Sequence, residues 1–436
     1  MAEGRNISIF TENLKLTPWW WEAAPRPTTP PSALPAEADV VVVGSGYTGL
    51  SAALTLARAG RSVLVCEAED PGAGASARNG GMIGSGHRAS FAALTTRYGE
   101  AAATALLREG DNALEFTTGL IGDEAIDCHF HRSGRFRAAC RAADYDTIGR
   151  EIDILRDKIG LDADMVSRAD QQREVATDFY HGGCVYHRHG ALHPGLFHRG
   201  LLDRALGAGA IVAGRTPVTA IDRAGAAFRV KTPGGTIAAG NVIIATNGYT
   251  GGITPALRRR VIPLSSYIIA TEELSAERIR AIIPSRRMIV EDRALHGYYR
   301  PSPDGRRILF GGRAALHAID PRRAGRRLFR YLVDLFPDLS AVRISHSWGG
   351  HIAYTWRAMP HIGCRDGIHY ALGYCGSGVA MAPYLGFRVA HKVLGTADGD
   401  TAFDGIEFPA VPLNAGHPRL LPAIDLYYRA RMRLFG

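Results

Sequence analysis

The chain has 436 residues, 46% of them hydrophobic, and a formal net charge of +9. That length holds two domains or one two-lobed unit with a sizeable core. The charge is almost all arginine and is scattered, with short runs only in "RRRV" (258–261) and "RRAGRR" (322–327), so no nucleic-acid module is recognisable and an anionic substrate or a membrane-docked partner stays open.

In chain order, residues 1–37 read as an N-terminal arm. They lack the basic and apolar regions of a signal peptide, and no stretch of the chain approaches the roughly 20 apolar residues of a membrane span. The segment "APRPTTPPSALPAEA" is Pro-rich and extended. "WWW" at 19–21 either packs on the body as an anchor or forms a flap at a site mouth.

"ADVVVVGSGYTGLSAALTLARAGRSVLVCEAE" reads as a buried strand, a glycine turn, an amphipathic helix and a second strand. This is the βαβ dinucleotide fingerprint in full context. Gly44 permits the tight turn, Gly46 lets backbone approach a pyrophosphate, and Gly49 allows helix to pack on strand. Ser45, Tyr47 and Thr48 complete the turn and the helix N-terminus that faces the phosphates. Glu67, with Ala68 beside it, follows about twenty residues later, where a carboxylate accepts ribose hydroxyls and repels a 2′-phosphate.

The second strand leads into "GASARNGG" (74–81), and this loop points to FAD rather than NAD. A wall of small residues beside a flat ring must supply its contacts from backbone. Gly74, Ala75, Ser76, Asn79, Gly80, Gly81 and Met82 form that wall, and Arg78 answers pyrophosphate or reduced-flavin charge. The six cysteines show no C-x-x-C pair and no metal-type spacing, so no metal is expected and reduced thiols in a cytoplasmic protein are the default.

With these segments, "ATNGYTGG", "RRRVIPLSSYIIATEEL" and "YALGYCGSGVAMAPYLG", the chain resembles the flavin amine and amino-acid oxidases, a superfamily that includes D-amino-acid oxidase, glycine oxidase and sarcosine oxidase. It is most similar to the γ-glutamylputrescine oxidase-like branch, from about residue 15 onward. The resemblance implies adenine contacts at Val218 and a turn at Thr246, Asn247 and Gly248 near the pyrophosphate. It also implies that Gly373, Tyr374, Gly376, Ser377, Gly378 and Val379 aim a helix N-terminus at the flavin pyrimidine, where the helix dipole favours the negative charge of reduction.

"HSWGGHIAYTWRAMPHIG" includes Trp348, expected at the cofactor, and departs from the relatives. Ile352 stands where amino-acid oxidases carry Arg and sarcosine oxidase a flavin-linking Cys. FAD is therefore expected to be non-covalent, with Cys375 the first alternative attachment point, and the α-carboxylate clamp is missing. Candidate catalytic and pocket residues are Tyr267, Tyr299, Arg300, His351 and Tyr354, with Arg300 anchoring a remote carboxylate. His87 and Arg88 are alternatives at flavin N5.

The expected fold is α/β: a Rossmann-like FAD domain (38–90, 185–255 and 341–400) with an inserted antiparallel-sheet substrate domain (91–184 and 256–340) and a tail (401–436). The expected activity is FAD-dependent oxidation of the C–N bond of a γ-glutamylputrescine-like or other primary or secondary amine, with O2 or another acceptor taking the electrons. An oxidase or dehydrogenase of pipecolate- or proline-like imino acids is the enzyme alternative, with Arg300 or Arg357 on the carboxylate. A flavin-containing nucleic-acid-modifying or membrane-docked protein is the alternative of another class.

Overall fold

The computed structural model describes residues 8–28, 33–293, 297–412 and 421–435. Residues 29–32 of the Pro-rich segment lie outside them. Two large sheets carry the chain, one for each expected lobe.

The first is the nucleotide sheet. Strand Glu37–Val43 sits between Val63–Cys66 and Gly235–Ile244, parallel to both. Val40, Val41 and Val42 are buried on both faces, which accounts for the unbroken apolar run. Ile211–Ala213 extends one side, and Ile368–Leu372 adds in parallel beyond Val242–Ile244. Helices Tyr47–Arg58 and Gly378–Leu394 pack on this sheet and on each other. They cross so closely at Gly386 that a Cβ there would lie 2.4 Å from the Thr48 carbonyl oxygen.

The second is a nine-stranded cover sheet. Its order is Phe10–Lys15, Ile344–Thr355, Val261–Thr271, Ile308–Gly312, Gly297–Pro301, Met288–Glu291, Arg135–Ala138, Gly183–Tyr186 and Ala163–Val166. Most pairs are antiparallel, and two are parallel. Helix Pro321–Leu335 covers the outer face, its N-terminus capped by the Asp320 carboxylate, which accepts from Arg322 and Arg323 N–H.

The domain boundaries need three corrections. Strand Ile344–Thr355 pairs along its whole length with Val261–Thr271, so it belongs to the cover sheet and not to a 341–400 nucleotide segment. Gly183–Tyr186 also belongs there, across the boundary at 185. The arm, expected at 1–37 as a segment apart, contributes the edge strand Phe10–Lys15 to the cover sheet. The tail ends in helix Leu421–Phe435, and residues 413–420 lie outside the described part. Among the described residues no helix is long and apolar enough to cross a membrane.

The three tryptophans anchor the arm. Trp20 is fully buried with Ile268, Ala270, Leu309 and Trp348, and its indole N–H donates to the Asn79 carbonyl at 2.8 Å. Trp21 lies under the guanidinium groups of Arg26 and Arg78. The arm thus braces the Gly-rich loop from behind. Trp20→Phe should cost about 1 kcal/mol through the lost hydrogen bond, and Trp20→Ala about 3–5 kcal/mol through the cavity. Both should loosen FAD, measured as denaturant stability and as FAD retained on gel filtration.

Candidate functional site

A single cavity of about 890 Å3 runs between the two sheets. One end is built by the fingerprint. Gly44 takes φ +103°, open only to glycine at low cost, and a Cβ on Gly49 would sit 1.9 Å from the Gly44 carbonyl oxygen. Helix Tyr47–Arg58 therefore begins directly against the turn, with Gly46 as a cap residue that has no side chain to offer. Ser76 Oγ accepts from Tyr47 N–H at 2.9 Å, bringing the Gly-rich loop up to this helix end.

Glu67 lies at the same end. Its Oε2 accepts from the Ser45 N–H at 2.9 Å and the Ser45 hydroxyl at 2.7 Å, and its Oε1 accepts from Glu69 N–H at 3.1 Å. These bonds fix the carboxylate at the tip of its strand. Val218 and Pro217 form the wall opposite. From behind, the buried His198 imidazole bonds the Ser45 carbonyl through Nε2 at 2.8 Å.

The Gly-rich loop is the middle of the cavity. Asn79 ties its own turn, donating to Ala75 and Ser76 carbonyls and accepting from Gly81 N–H at 2.8 Å. Arg78 donates to the Ala73 carbonyl at 2.5 Å and across to the Gly349 carbonyl at 3.1 Å, so it joins loop to cover sheet. Burial lowers the Arg78 pKa. The Trp348 indole N–H donates back to the Arg78 carbonyl at 2.9 Å.

The far side is helix Gly378–Leu394. Its N-terminus, with Gly376, Ser377 and Val379, opens on the cavity, and the Ser377 hydroxyl donates to the Gly86 carbonyl at 2.5 Å. Tyr374 and Cys375 also line it, and burial pushes the Cys375 thiol up to about 11. Asn247 Oδ1 accepts from Gly373 N–H at 2.9 Å and so couples the 246–248 turn to this motif.

These features fit FAD. A glycine cradle, a helix N-terminus, the Glu67 carboxylate at its strand tip and a second helix N-terminus lie along one cavity. Of the expected cofactor residues, Gly44, Ser45, Gly46, Tyr47, Thr48, Glu67 and Ala68 line it. So do Gly74, Ala75, Ser76, Arg78, Asn79, Gly80, Met82, Val218, Thr246, Asn247, Trp348, Tyr374, Gly376, Ser377, Gly378 and Val379. Gly49, Gly81, Gly248 and Gly373 stand behind the wall, where their missing side chains let backbone pack: a Cβ on Gly248 would meet the His351 backbone at 3.1 Å.

The expected pocket residues divide. His351 and Tyr354 line the cavity, on either side of Ile352. His351 is edge-on to Tyr249, and Tyr354 pairs with Arg313. Tyr267, Tyr299 and Arg300 do not line it, which corrects their assignment. The Tyr267 hydroxyl accepts from the Ile319 backbone N–H at 2.7 Å, in the loop before helix Pro321–Leu335. Tyr299 is fully buried on the other face, stacked on Phe310 and donating to the Tyr180 hydroxyl at 3.1 Å. Arg300 is buried and donates to the Gly81 and Leu192 carbonyls, both at 2.9 Å, and to the Pro301 carbonyl at 3.1 Å. Desolvation lowers it to about 10. It is a brace for the Gly-rich loop and cannot reach a substrate. Arg357 pairs with Glu407 at 2.9 Å and is also outside the cavity wall.

Sequence reasoning missed Tyr298, whose ring lies in the cavity over Gly80 and Gly311. A Cβ on Gly311 would fall 2.2 Å from that ring. The two glycines were the available signal. Tyr249, Ser266, Arg313, Arg135 and His189 line the cavity too. Of the alternatives at flavin N5, Arg88 is exposed at the wall. His87 lines it with Nε2 on the Leu106 carbonyl at 2.8 Å, and burial holds its pKa near about 4.

Residues 39–392 match the family described as FAD dependent oxidoreductase. The chain is 33% identical to "Probable oxidoreductase OrdL" of Rhizobium meliloti (strain 1021), covering 90% of this chain and 92% of that one. It is 33% identical to "Gamma-glutamylputrescine oxidoreductase" of Escherichia coli (strain K12), over 91% of this chain and 93% of the other. Glycine oxidase from Geobacillus kaustophilus shares the fold at a TM-score of 0.70 and 22% identity, over 87% of this chain and 99% of that one.

Two predictions follow from the site's supports. Arg300→Met removes a donor from three carbonyls, of which Gly81 keeps the Leu192 N–H, and should cost about 1–3 kcal/mol, with FAD bound more weakly. Chemical denaturation with and without added FAD measures both. A change confined to substrate half-saturation would contradict this. The second concerns acid. Desolvation holds the His87 and His198 imidazoles near about 4 and His361 near about 3, against an ordinary 6.5. The folded chain then binds fewer protons than the unfolded one between those values. The stability this gives is full above pH 6.5 and is lost as pH falls toward 4. FAD fluorescence followed against pH should show release in that window, shifted to lower pH in His198→Gln.

Proposed function

Since the chain belongs to the FAD dependent oxidoreductase family, which acts on amines and amino acids, we propose that its substrate is an amine without a carboxylate on the reacting carbon. The reaction is oxidation of the C–N bond of a primary or secondary amine to an imine. Water then hydrolyses the imine to a carbonyl compound, and O2 takes up the two electrons and two protons as H2O2. The observation that carries this reading is Ile352, an aliphatic side chain turned to the cavity between His351 and Tyr354. An α-carboxylate placed against it would lose its hydration, and the nearby Arg313 guanidinium is already engaged by the Tyr354 hydroxyl and ring. The 33% identity to an enzyme named for γ-glutamylputrescine supports an amine.

FAD supplies the hydride acceptor. The residues proposed to hold it are those of the glycine cradle, Glu67, the 74–82 loop and the 376–379 helix end. Backbone N–H groups at that second helix end would favour negative charge on the reduced ring. The chain's other contributions are positional. Tyr298, Trp348 and Tyr354 present aromatic faces to the cavity, which suit an aminium on arrival and an iminium on departure. Ile352 and Ile268 exclude water beside them, which favours the neutral amine that transfers hydride. Ile352 cannot form a thioether, so acid precipitation should leave FAD in the supernatant.

The test is anaerobic mixing of the holoprotein with a panel of primary and secondary amines, α-amino acids and cyclic imino acids, while flavin absorbance is followed. Admission of O2 with peroxide detection comes next. Amines should bleach the flavin at least tenfold more efficiently than α-carboxylated compounds of similar size, given a charge-assisted contact worth about 1.5–3 kcal/mol. Preferential bleaching by proline or pipecolate would sink the reading in favour of an imino-acid enzyme.

A further inference from the structure

The same cavity is lined by Arg135, Arg137, Glu151, Leu155, Ile159, Leu161, Tyr186 and His189, a part of its wall, the arm, that is built on strands Arg135–Ala138 and Gly183–Tyr186 and helix Ala142–Ile159. Strand Arg135–Ala138 forms one wall. Its alternation sends Phe136 and Ala138 into the cover-sheet core and Arg135 and Arg137 to the cavity. The two arginines are treated differently. Arg137 is answered by Glu151 at 2.8 Å and Asp292 at 3.1 Å. Arg135 has no hydrogen-bond or ion-pair partner among the described residues, and its Nε is buried. The charged or titratable groups acting on it are the Tyr186 phenol and the Arg137 guanidinium, and neither supplies a negative charge at neutral pH.

His189 stands beside it. The imidazole is buried and stacked on Tyr186 with ring centroids 4.8 Å apart. Its Nε2 lies 3.2 Å from the Ser85 backbone nitrogen, which can only donate. The proton of the neutral ring is therefore on Nδ1, and Nδ1 is buried without a partner. Both unused donors converge on Gly84. A Cβ at that glycine would lie 2.7 Å from an Arg135 terminal nitrogen and 2.7 Å from His189 Nδ1. A side chain at position 84 would displace both groups, and among the described residues no acceptor faces the Arg135 guanidinium or His189 Nδ1. Buried donors without acceptors are costly, and an enclosed cation without a counter-charge more so.

We propose that Arg135 and the Nδ1–H of His189 bind a carboxylate at the end of the substrate remote from the reacting amine. The inference rests on the reading of the chain as an amine oxidoreductase and names its substrate class: a chain with the amine at one end and a carboxylate at the other. A guanidinium fork and one N–H match the two oxygens of a carboxylate. Leu155, Ile159 and Leu161 give the arm an apolar side for the intervening methylenes. The pairing also fits Ile352: the anion is recognised far from the carbon that reacts. An anchor of this kind binds equally in ground and transition states, so it sets half-saturation and leaves the limiting rate alone.

The experiment uses the FAD-loaded full chain and two independent readouts. The first is calorimetric titration with hexanoate, which needs no turnover. Wild type should bind it, Arg135→Leu and Gly84→Ala should bind about tenfold to hundredfold more weakly, and Arg135→Lys should recover part of the loss. The second is anaerobic flavin reduction by 6-aminohexanoate against hexylamine. Arg135→Leu should raise half-saturation for the first by the same factor, leave its limiting rate within about threefold, and leave hexylamine unchanged. Equal hexanoate binding by wild type and Arg135→Leu, or none by wild type, would overturn the proposal. So would a loss that comes with a fall in Tm and is not recovered in Arg135→Lys, which would mark a structural arginine. Hexanoate binding as expected with no amine reducing the flavin would sink the amine-oxidation reading and leave the anion site standing. Amine-driven reduction without the Arg135 dependence would do the reverse.

Discussion

The Gly-rich loop at 74–81 can face a cofactor with bare backbone only because its outward carbonyls are claimed from behind. The Arg78 carbonyl takes the Trp348 indole N–H, the Asn79 carbonyl takes the Trp20 indole N–H, and the Gly81 carbonyl takes Arg300. Three donors from three separate strands or helices thus hold one short segment. Small residues alone would leave it with high conformational entropy and no reason to keep one shape. The donors also account for the arm. Trp20 adds the most deeply buried contact of residues 8–28, beside the packing of Ile9, Phe10 and Leu14 on the cover-sheet core and the bond from His346 to Glu22.

The same loop joins the lobes. Arg78 reaches from it to the Gly349 carbonyl in the longest strand of the cover sheet, and Ser76 reaches the other way to the fingerprint helix. A displacement of the cover sheet therefore moves the loop, and through it the pyrophosphate end. This coupling explains why strand Ile344–Thr355, which carries Trp348, Ile352 and Tyr354, contributes both to loop support and to the cavity wall. Gly349 in this strand makes room for a neighbouring strand's ring: a Cβ there would lie 2.8 Å from Tyr267.

The nucleotide half was legible in the sequence because each of its constraints is local. A strand buried on both faces must be uniformly apolar, a tight turn must be glycine, and a helix crossing within van der Waals contact must be glycine again. The cover sheet was less legible because its constraints lie between distant segments. That Tyr298 and Tyr299 face opposite sides follows from strand geometry, but which side meets the cavity depends on the packing of Phe310, Phe336 and Tyr180 around Tyr299. Gly311, whose space Tyr298 fills, is thirteen residues away in sequence and directly opposite in the sheet. Strand Ile344–Thr355 follows a helix and precedes the last nucleotide strands, so chain order alone put it in the wrong lobe. The short strand Arg135–Ala138 was hidden in a stretch dominated by helices, and the arm of the cavity that it lines went with it.

Arginine is where sequence reasoning had least to work with, and three of them show why. Arg300, Arg137 and Arg135 all lie on strands of one sheet, and each is largely enclosed. Arg300 faces backbone carbonyls, so its charge is spread over neutral dipoles and it acts as a brace. Arg137 faces two carboxylates and is a structural ion pair. Arg135 faces an imidazole that is itself a donor, and among the described residues no acceptor answers its guanidinium. The residue type, its strand setting and its burial are shared, and the difference is entirely in the partner. A guanidinium carries five N–H groups wherever it is placed, so the acceptors around it, which come from elsewhere in the chain, decide its role. In a strand, neighbours two positions apart share a face and still diverge, as Arg135 and Arg137 do. The informative quantity is thus the balance of donors and acceptors in the enclosed space, and around Arg135 that balance is short of an anion.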